Sequence, residues 1–143
     1  METALDATAL QEILATSFPS HDVPIIEWVG HDTVTVVLPV SHLHGRPGGT
    51  LSGPAMMMLA DTTAWVAILS RVGPRLLAVT TSLHIDFLRK PTLTDLVAQG
   101  RLLKLGRSLA VVDVELFSRG DRELVAKAQV TYSLPPSEDN VAP

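Results

Sequence analysis

Hydrophobic residues change their spacing three times along this chain, and the changes divide it into elements. Leu10, Ile13 and Leu14 recur at helical intervals downstream of Thr3, which predicts a short amphipathic helix over residues 4–16, packed as a lid. "IIEWVG" and "DTVTVVLPV" flank Gly30, and Val34, Val36 and Leu38 alternate with Thr33 and Thr35, the pattern of two strands in a hairpin. "SHLHGRPGG" concentrates glycine and proline and reads as a loop rather than a regular element. A helix apolar on most faces follows: Ser52 and Gly53 suit its N-cap, Pro54 its first turn, and Gly73-Pro74 stops it.

Beyond that helix the period becomes two. In "LLAVTTSLHIDFL" the odd positions Leu77, Val79, Leu83, Ile85 and Phe87 are apolar, with Thr81 the exception, while Thr80, Ser82, His84 and Asp86 take the other face. This predicts a long, half-buried strand. "TDLVAQGRLLKL", "SLAVVDVELFS" and "ELVAKAQVTYSL" complete a meander of four strands, with turns at Gly106-Arg107 and "RGDR". Ala110, Val112, Val114 and Leu116, then Leu124, Ala126, Ala128, Val130 and Tyr132, mark the inward faces. A helix with so little polar surface must be covered on most of its circumference, so the expected class is α+β, one antiparallel sheet curled around one long central helix. A single domain over residues 1–134 is expected, with a mobile tail at 135–143 that has little to bury. Open sheet edges in such a layout favour pairing into a dimer.

Composition narrows the chemistry. A chain of 143 residues without cysteine has no disulfide framework, thiol nucleophile or zinc-thiolate site, and suits a reducing cytoplasm. Its start carries acidic residues and no basic region ahead of an apolar run, unlike a signal or transit peptide. The net charge of -4 is spread along the chain, and no Lys/Arg stripe with interleaved aromatics appears, which argues against nucleic acid as a partner. The run from Pro54 to Leu69 is too short for a bilayer core of about 30 Å and carries an acid at its midpoint, which argues against a membrane.

That acid is Asp61, the one charged side chain in "GGTLSGPAMMMLADTTAWVAIL". It shares a helix face with Met57, Met58, Ala64 and Trp65, so no cation stands at i±3 or i±4. Burying an unpaired carboxylate costs several kcal/mol or raises its pKa. Three readings stay open: an acceptor for a distant backbone group, a stripe of the helix left open to solvent, or a perturbed acid in a cleft. "RPGGTLSG" meanwhile brings a glycine-rich turn to a helix N-terminus, where free amides favour an anion or a developing oxyanion, unless the turn is an ordinary connection. Gly53 and Asp61 are separated by about 12 Å along a helix, so a substrate would lie along it or a second chain would contribute.

"RPGGTLSGPAMMMLAD", "VTTSLHIDFLRKP", "GRLLKLGRSLAVVDVELFS" and "ELVAKAQVTYS" together resemble the hotdog-fold acyl-CoA thioesterases of the phenylacetate-degradation (PaaI-like) type, over residues 25–134. The resemblance implies that the Gly53 amide polarises the thioester carbonyl, that Asp61 acts as base or nucleophile, and that Thr80 orients the attacking water. It also implies a dimer or tetramer with active sites at the dimer interface, acyl-CoA as substrate, and no metal or organic cofactor. Ser52 stands where the family often has histidine, and Arg46 where it often has asparagine.

The expected function is therefore an acyl-CoA thioesterase. A non-hydrolytic acyl-CoA binding or sensing module, favoured by Ser52 and Arg46, is the alternative. A hydratase on the same fold ranks last, because the central helix has no histidine or glutamate. Arg89, Lys90 and Arg107 are candidate contacts for the coenzyme A phosphates, and Met57 and Trp65 for the acyl group. His42 and His44 lack a third ligand for a metal, and His84 and Asp86 belong to the polar face of their strand.

Overall fold

The computed structural model describes residues 4–17, 23–39, 45–46, 50–74 and 77–136. In chain order they form helix α1 (Ala7–Ser17), strands β1 (Ile25–Val29), β2 (Thr33–Leu38), β3 (Gly45–Arg46) and β4 (Thr50–Leu51), and the long helix α2 (Gly53–Val72). Strands β5 (Val79–Phe87), β6 (Leu96–Leu105), β7 (Leu109–Ser118) and β8 (Ala126–Ser133) follow. Asp6 caps α1, its carboxylate accepting the Ala9 amide at 2.9 Å. The helix accordingly starts later than its hydrophobic spacing suggested. Thr3, His42, His44 and residues 137–143 lie outside the described residues. The glycine-rich segment is not wholly irregular, since β3 and β4 pair as a short antiparallel ribbon.

Six strands make one antiparallel sheet in the order β1-β2-β6-β7-β8-β5. The hairpin β1-β2 is as expected, but the four-strand meander is not. Only β6, β7 and β8 follow one another, and β5 crosses over to pair with β8 at the edge. Local periodicity marks a strand and says nothing about its partner, which is a long-range choice.

Helix α2 lies across one face of this sheet, against β2, β6, β7 and β8. It is held at both ends: Ser52 Oγ accepts the Ala55 amide at 3.2 Å, and Gly73, at φ 85°, returns its amide to the Leu69 carbonyl at 3.0 Å. A positive φ is open to glycine without steric cost, so the stop is built into that residue. At twenty residues and a mean hydropathy of 1.2, α2 could cross a bilayer by length and composition, so shortness does not argue against it; its apolar surface instead meets the sheet, with 61% of its most apolar stretch buried. Leu59, Ala60, Ala64, Val66, Ile68 and Leu69 are covered by Val34, Val36, Ala98, Val112, Val114, Leu116 and Val130. Each leucine, isoleucine or valine among them stabilises the fold by about 1.5–3 kcal/mol when fully buried.

Two details set how the helices sit on the sheet. Gly100 on β6 leaves room for the helix: a Cβ there would lie 2.9 Å from Cγ2 of Thr63 and 3.3 Å from a Val34 methyl. Helix α1 packs over β1 through Leu10 and Leu14, and Gln11 clips the strand by accepting the Ile26 amide at 2.8 Å and donating to the Pro24 carbonyl at 3.0 Å.

Strand β5 departs furthest from its expected form. A bulge falls at Thr81, so that Thr80 pairs with Tyr132 while Ser82 pairs with Thr131. The extra residue shifts the alternation, and Thr80 joins Leu83 and Ile85 on the helix side instead of the face of Ser82, His84 and Asp86. Val79 moves the other way and is 57% exposed. With Leu77, Phe87 and Leu88 also more than half or nearly half open, β5 is an exposed apolar edge rather than a half-buried strand.

Candidate active site

Asp61 occupies the third turn of α2, on the stripe that looks past the sheet edge toward the start of β5. Its carboxylate is half-buried and is not unpaired. Thr80 donates its hydroxyl to Asp61 Oδ1 at 2.7 Å, and Tyr132 donates to the same oxygen at 2.9 Å and lies 3.1 Å from the Asp61 main-chain carbonyl oxygen. The cost that an isolated carboxylate would carry is thus met by two hydroxyls, without any ion pair to a described residue. The bulge is what supplies Thr80, since an unbroken strand would turn that hydroxyl to the opposite face.

Tyr132 is buried on β8 and was expected only as an inward-facing packing residue. Burial pushes its hydroxyl above the ordinary tyrosine range; the Thr80 hydroxyl pulls in the opposite direction, and the adjacent Asp61 adds to the rise by charge and by hydrogen bond. The signal for it in the sequence was modest: a buried tyrosine requires a partner for its O–H.

A cleft of about 490 Å³ opens over the carboxylate. Met58, Trp65 and Val79 give it apolar walls, and Asp61, Thr62, Thr80 and Tyr132 supply its polar groups. Ser17 at the end of α1 reaches its rim. The carboxylate, apolar walls and hydroxyls suit an acid acting on a ligand with an apolar part and a polarised carbonyl. A second depression, of about 460 Å³, lies on the outer face of the sheet, where Lys127 stands 3.3 Å from Asp113 and 3.8 Å from Glu115. Its carboxylates share that ammonium, which leaves little chemistry available.

The remaining residues singled out by the sequence separate into distinct places. Gly53 starts α2 beside the Phe87 ring, 3.5 Å from where its Cβ would be, and its amide belongs to the first turn, which has no intrahelical acceptors. Ser52 is the helix cap. Arg46 pairs in β3 with Thr50 of β4. Met57 is exposed, and it is Met58 that borders the cleft. Arg89 forms an ion pair with Glu123, Lys90 is exposed beside it, and Arg107 lies in the β6–β7 turn at the other end of β5, so the three cations do not form one cluster in the protomer. His84 and Asp86 bond each other at 3.0 Å on the exposed outer face.

The family model for the thioesterase superfamily matches residues 48–125, more than half of the 143-residue chain. The chain belongs to the thioesterase superfamily. As a member of that superfamily it is a thioester hydrolase, and its sheet wrapped on a central helix is the hotdog fold. The crystal structure of a candidate thioesterase from Silicibacter sp. is 44% identical, with a TM-score of 0.89, over 95% of this chain and 96% of that one. The phenylacetic acid degradation protein PaaI of Thermus thermophilus, in a mutant form, is 26% identical with a TM-score of 0.66, over 78% of this chain and 93% of that one. Zebrafish thioesterase superfamily member 2, at 21% identity, shares the fold with a TM-score of 0.79 over 92% of this chain and all of its own. A sequence comparison with curated proteins gave no match. For this thioesterase-superfamily chain, Asp61 and Thr80 of the cleft fall within the matched segment, while Ser17 and Tyr132 lie outside it.

Proposed function

We propose that the protein hydrolyses acyl-CoA thioesters to the free acid and coenzyme A, with Asp61 as base or nucleophile and the Gly53 amide holding the carbonyl oxygen. The observation that carries this reading is the hydroxyl-held carboxylate at the mouth of an apolar cleft. In the base route, Asp61 takes a proton from water as the oxygen attacks the carbonyl carbon; the C–S bond then breaks and the departing thiolate takes up a proton. In the nucleophilic route the carboxylate attacks that carbon itself and the C–S bond breaks, releasing the thiolate, which takes up a proton; water then hydrolyses the resulting anhydride to the free acid and the regenerated Asp61 carboxylate. Both routes place negative charge on the carbonyl oxygen, where a helix-start amide stabilises it.

Asp61 and Gly53 of one chain are too far apart to act on one carbonyl, at about 12 Å along the helix. A second copy answers this. Asp61 adjoins the start of β5 and Gly53 its end, beside Phe87. Antiparallel pairing of β5 edges about a two-fold axis lays the start of one strand against the end of the other, and so brings Asp61 toward the partner's Gly53. The exposed Leu77, Val79, Phe87 and Leu88 suit such an edge. The same operation brings Arg107 toward the partner's Lys90, giving the phosphates of coenzyme A a shared basic surface. We propose a homodimer, or a tetramer of two such pairs, working in a reducing cytoplasm.

Release of free coenzyme A from a panel of acyl-CoAs tests the reading. Asp61→Asn should lower turnover by about 10²–10⁴-fold and keep acyl-CoA binding by calorimetry. A folded Asp61→Asn variant with wild-type turnover would refute the assignment. Rapid quench and mass spectrometry separate the routes, since an acyl group on the Asp61 peptide appears only in the nucleophilic one.

A further inference from the structure

The proposed reaction leaves Tyr132 without a role, yet it sits against the reacting group. Two donors converge on Asp61 Oδ1, Thr80 at 2.7 Å from the bulge of β5 and Tyr132 at 2.9 Å from β8. Among the described residues none donates to Oδ2. The carboxylate is therefore asymmetric, one oxygen engaged from two strands and the other facing the cleft.

We infer that Tyr132 and Thr80 are positioning residues that hold Oδ1 and fix the rotation of the carboxylate, leaving Oδ2 as the oxygen that reacts. The inference rests on the reading of Asp61 given above. A terminal carboxylate torsion is broad and two-fold, so without these bonds either oxygen could face the substrate at any moment. Two hydroxyls from separate strands remove that freedom before substrate arrives, which is the preorganisation a reacting group needs. Because the Thr80 proton is committed to Oδ1, Thr80 can meet a water only as an acceptor.

The surroundings make the prediction about pH specific. Around Asp61, α1 contributes Ser17, α2 contributes Met58, Thr62 and Trp65, and the β5 side contributes Ala78, Val79 and Thr80. None of these titrates in the working range. Arg101 of β6 and Asp113, Glu115 and Lys127 of β7 and β8 border the depression on the outer face of the sheet. Among the described residues of the cleft, Tyr132 is thus the one titratable neighbour.

The chain has one tyrosine. A protein carrying ¹³C at tyrosine Cζ therefore gives one resonance, which reports on Tyr132 directly. In the wild type this resonance should step with pH at the midpoint of the acid limb of turnover, and in Asp61→Asn the step should vanish. Tyr132→Phe should lower kcat by about 10-fold with KM changed less than about two-fold. A wild-type resonance flat through the acid limb overturns the inference, and that titration requires no variant to fold. Lost turnover in Asp61→Asn beside a wild-type kcat in Tyr132→Phe sinks the inference alone. Wild-type turnover in Asp61→Asn sinks the reading of Asp61 and the inference with it.

Discussion

A methyl group added at Gly100 measures how closely α2 is seated on the sheet. The new Cβ would stand 2.9 Å from Cγ2 of Thr63 and 3.3 Å from Val34, inside the roughly 3.5–4.0 Å at which carbon atoms rest. Thr63 has little freedom to turn aside, because it is fully buried and its hydroxyl is bonded to the Leu59 carbonyl at 2.6 Å. The helix must then retreat by roughly half an ångström. Overpacking of this kind costs about 1–3 kcal/mol, and alanine recovers about 0.5–1 kcal/mol over glycine within a strand. Gly100→Ala should therefore lose about 1–2 kcal/mol, or roughly 3–6 °C in Tm. Thr63→Ser removes Cγ2 and keeps the oxygen for Leu59, so in that background the same change should lose less than about 0.5 kcal/mol. Urea unfolding followed by tryptophan fluorescence provides the four free energies, at one protomer concentration because assembly couples to unfolding. Equal losses in both backgrounds, or no loss in either, would show that Thr63 and Gly100 do not limit the approach of helix to sheet. The retreat also draws Asp61 away from Tyr132, so turnover should fall in Gly100→Ala and recover in the double variant.

Three further outcomes follow from the same contacts. Thr80→Val keeps the shape and removes one donor to Asp61 Oδ1, and should cut kcat by about 10-fold, whereas Thr80→Ser should stay within about two-fold of wild type; equal values for the two variants would dismiss the hydroxyl. The raised Tyr132 hydroxyl remains protonated in the native chain after it ionises in the unfolded one, so native stability should decline above about pH 10 by up to about 1.4 kcal/mol per unit, and Tyr132→Phe should flatten that decline in alkaline urea titrations. Val79→Lys places a charge on the exposed edge and should shift assembly toward monomer by light scattering, with turnover lost in step; an unchanged mass would exclude β5 from the interface.

The parts of the fold that local chemistry dictates were legible in the sequence. Ser52-Gly53-Pro54 and Gly73 mark both ends of α2, and the alternation of Ala110 to Leu116 and of Ala126 to Tyr132 identifies the faces that the structure buries. The partner of β5 was not legible, because strand pairing is decided by what remains after the other edges are satisfied. Thr81 was an exception to the alternation of its strand and marked the bulge, but one polar residue among apolar ones has several explanations. At the candidate site, Asp61 stood out by its isolation and Thr80 by resemblance alone. Tyr132 was invisible as a site residue because a tyrosine on an inward face looks the same whether its hydroxyl meets backbone or a carboxylate. Arg89, read as a candidate phosphate contact, is paired with Glu123, a partner distant in sequence and indistinguishable in advance from other surface acids.

The bulge at Thr81 behaves as a dislocation does in a crystal row. It is a property of how many residues lie on each side, not of which residue occupies the defect. Replacing Thr81 alters a side chain but leaves the phase of the strand unchanged, so the line from β5 to Asp61 is insulated from most substitutions there. Removing one residue between Val79 and Leu83 is different in kind: the two halves of the strand come back into step, Val79 turns inward, and the hydroxyl that meets the carboxylate is carried to the far side of the sheet. Chains that share this cleft should therefore tolerate varied residues at the defect while keeping the residue count across it, and a single-codon deletion there should silence the site in a protein that still folds.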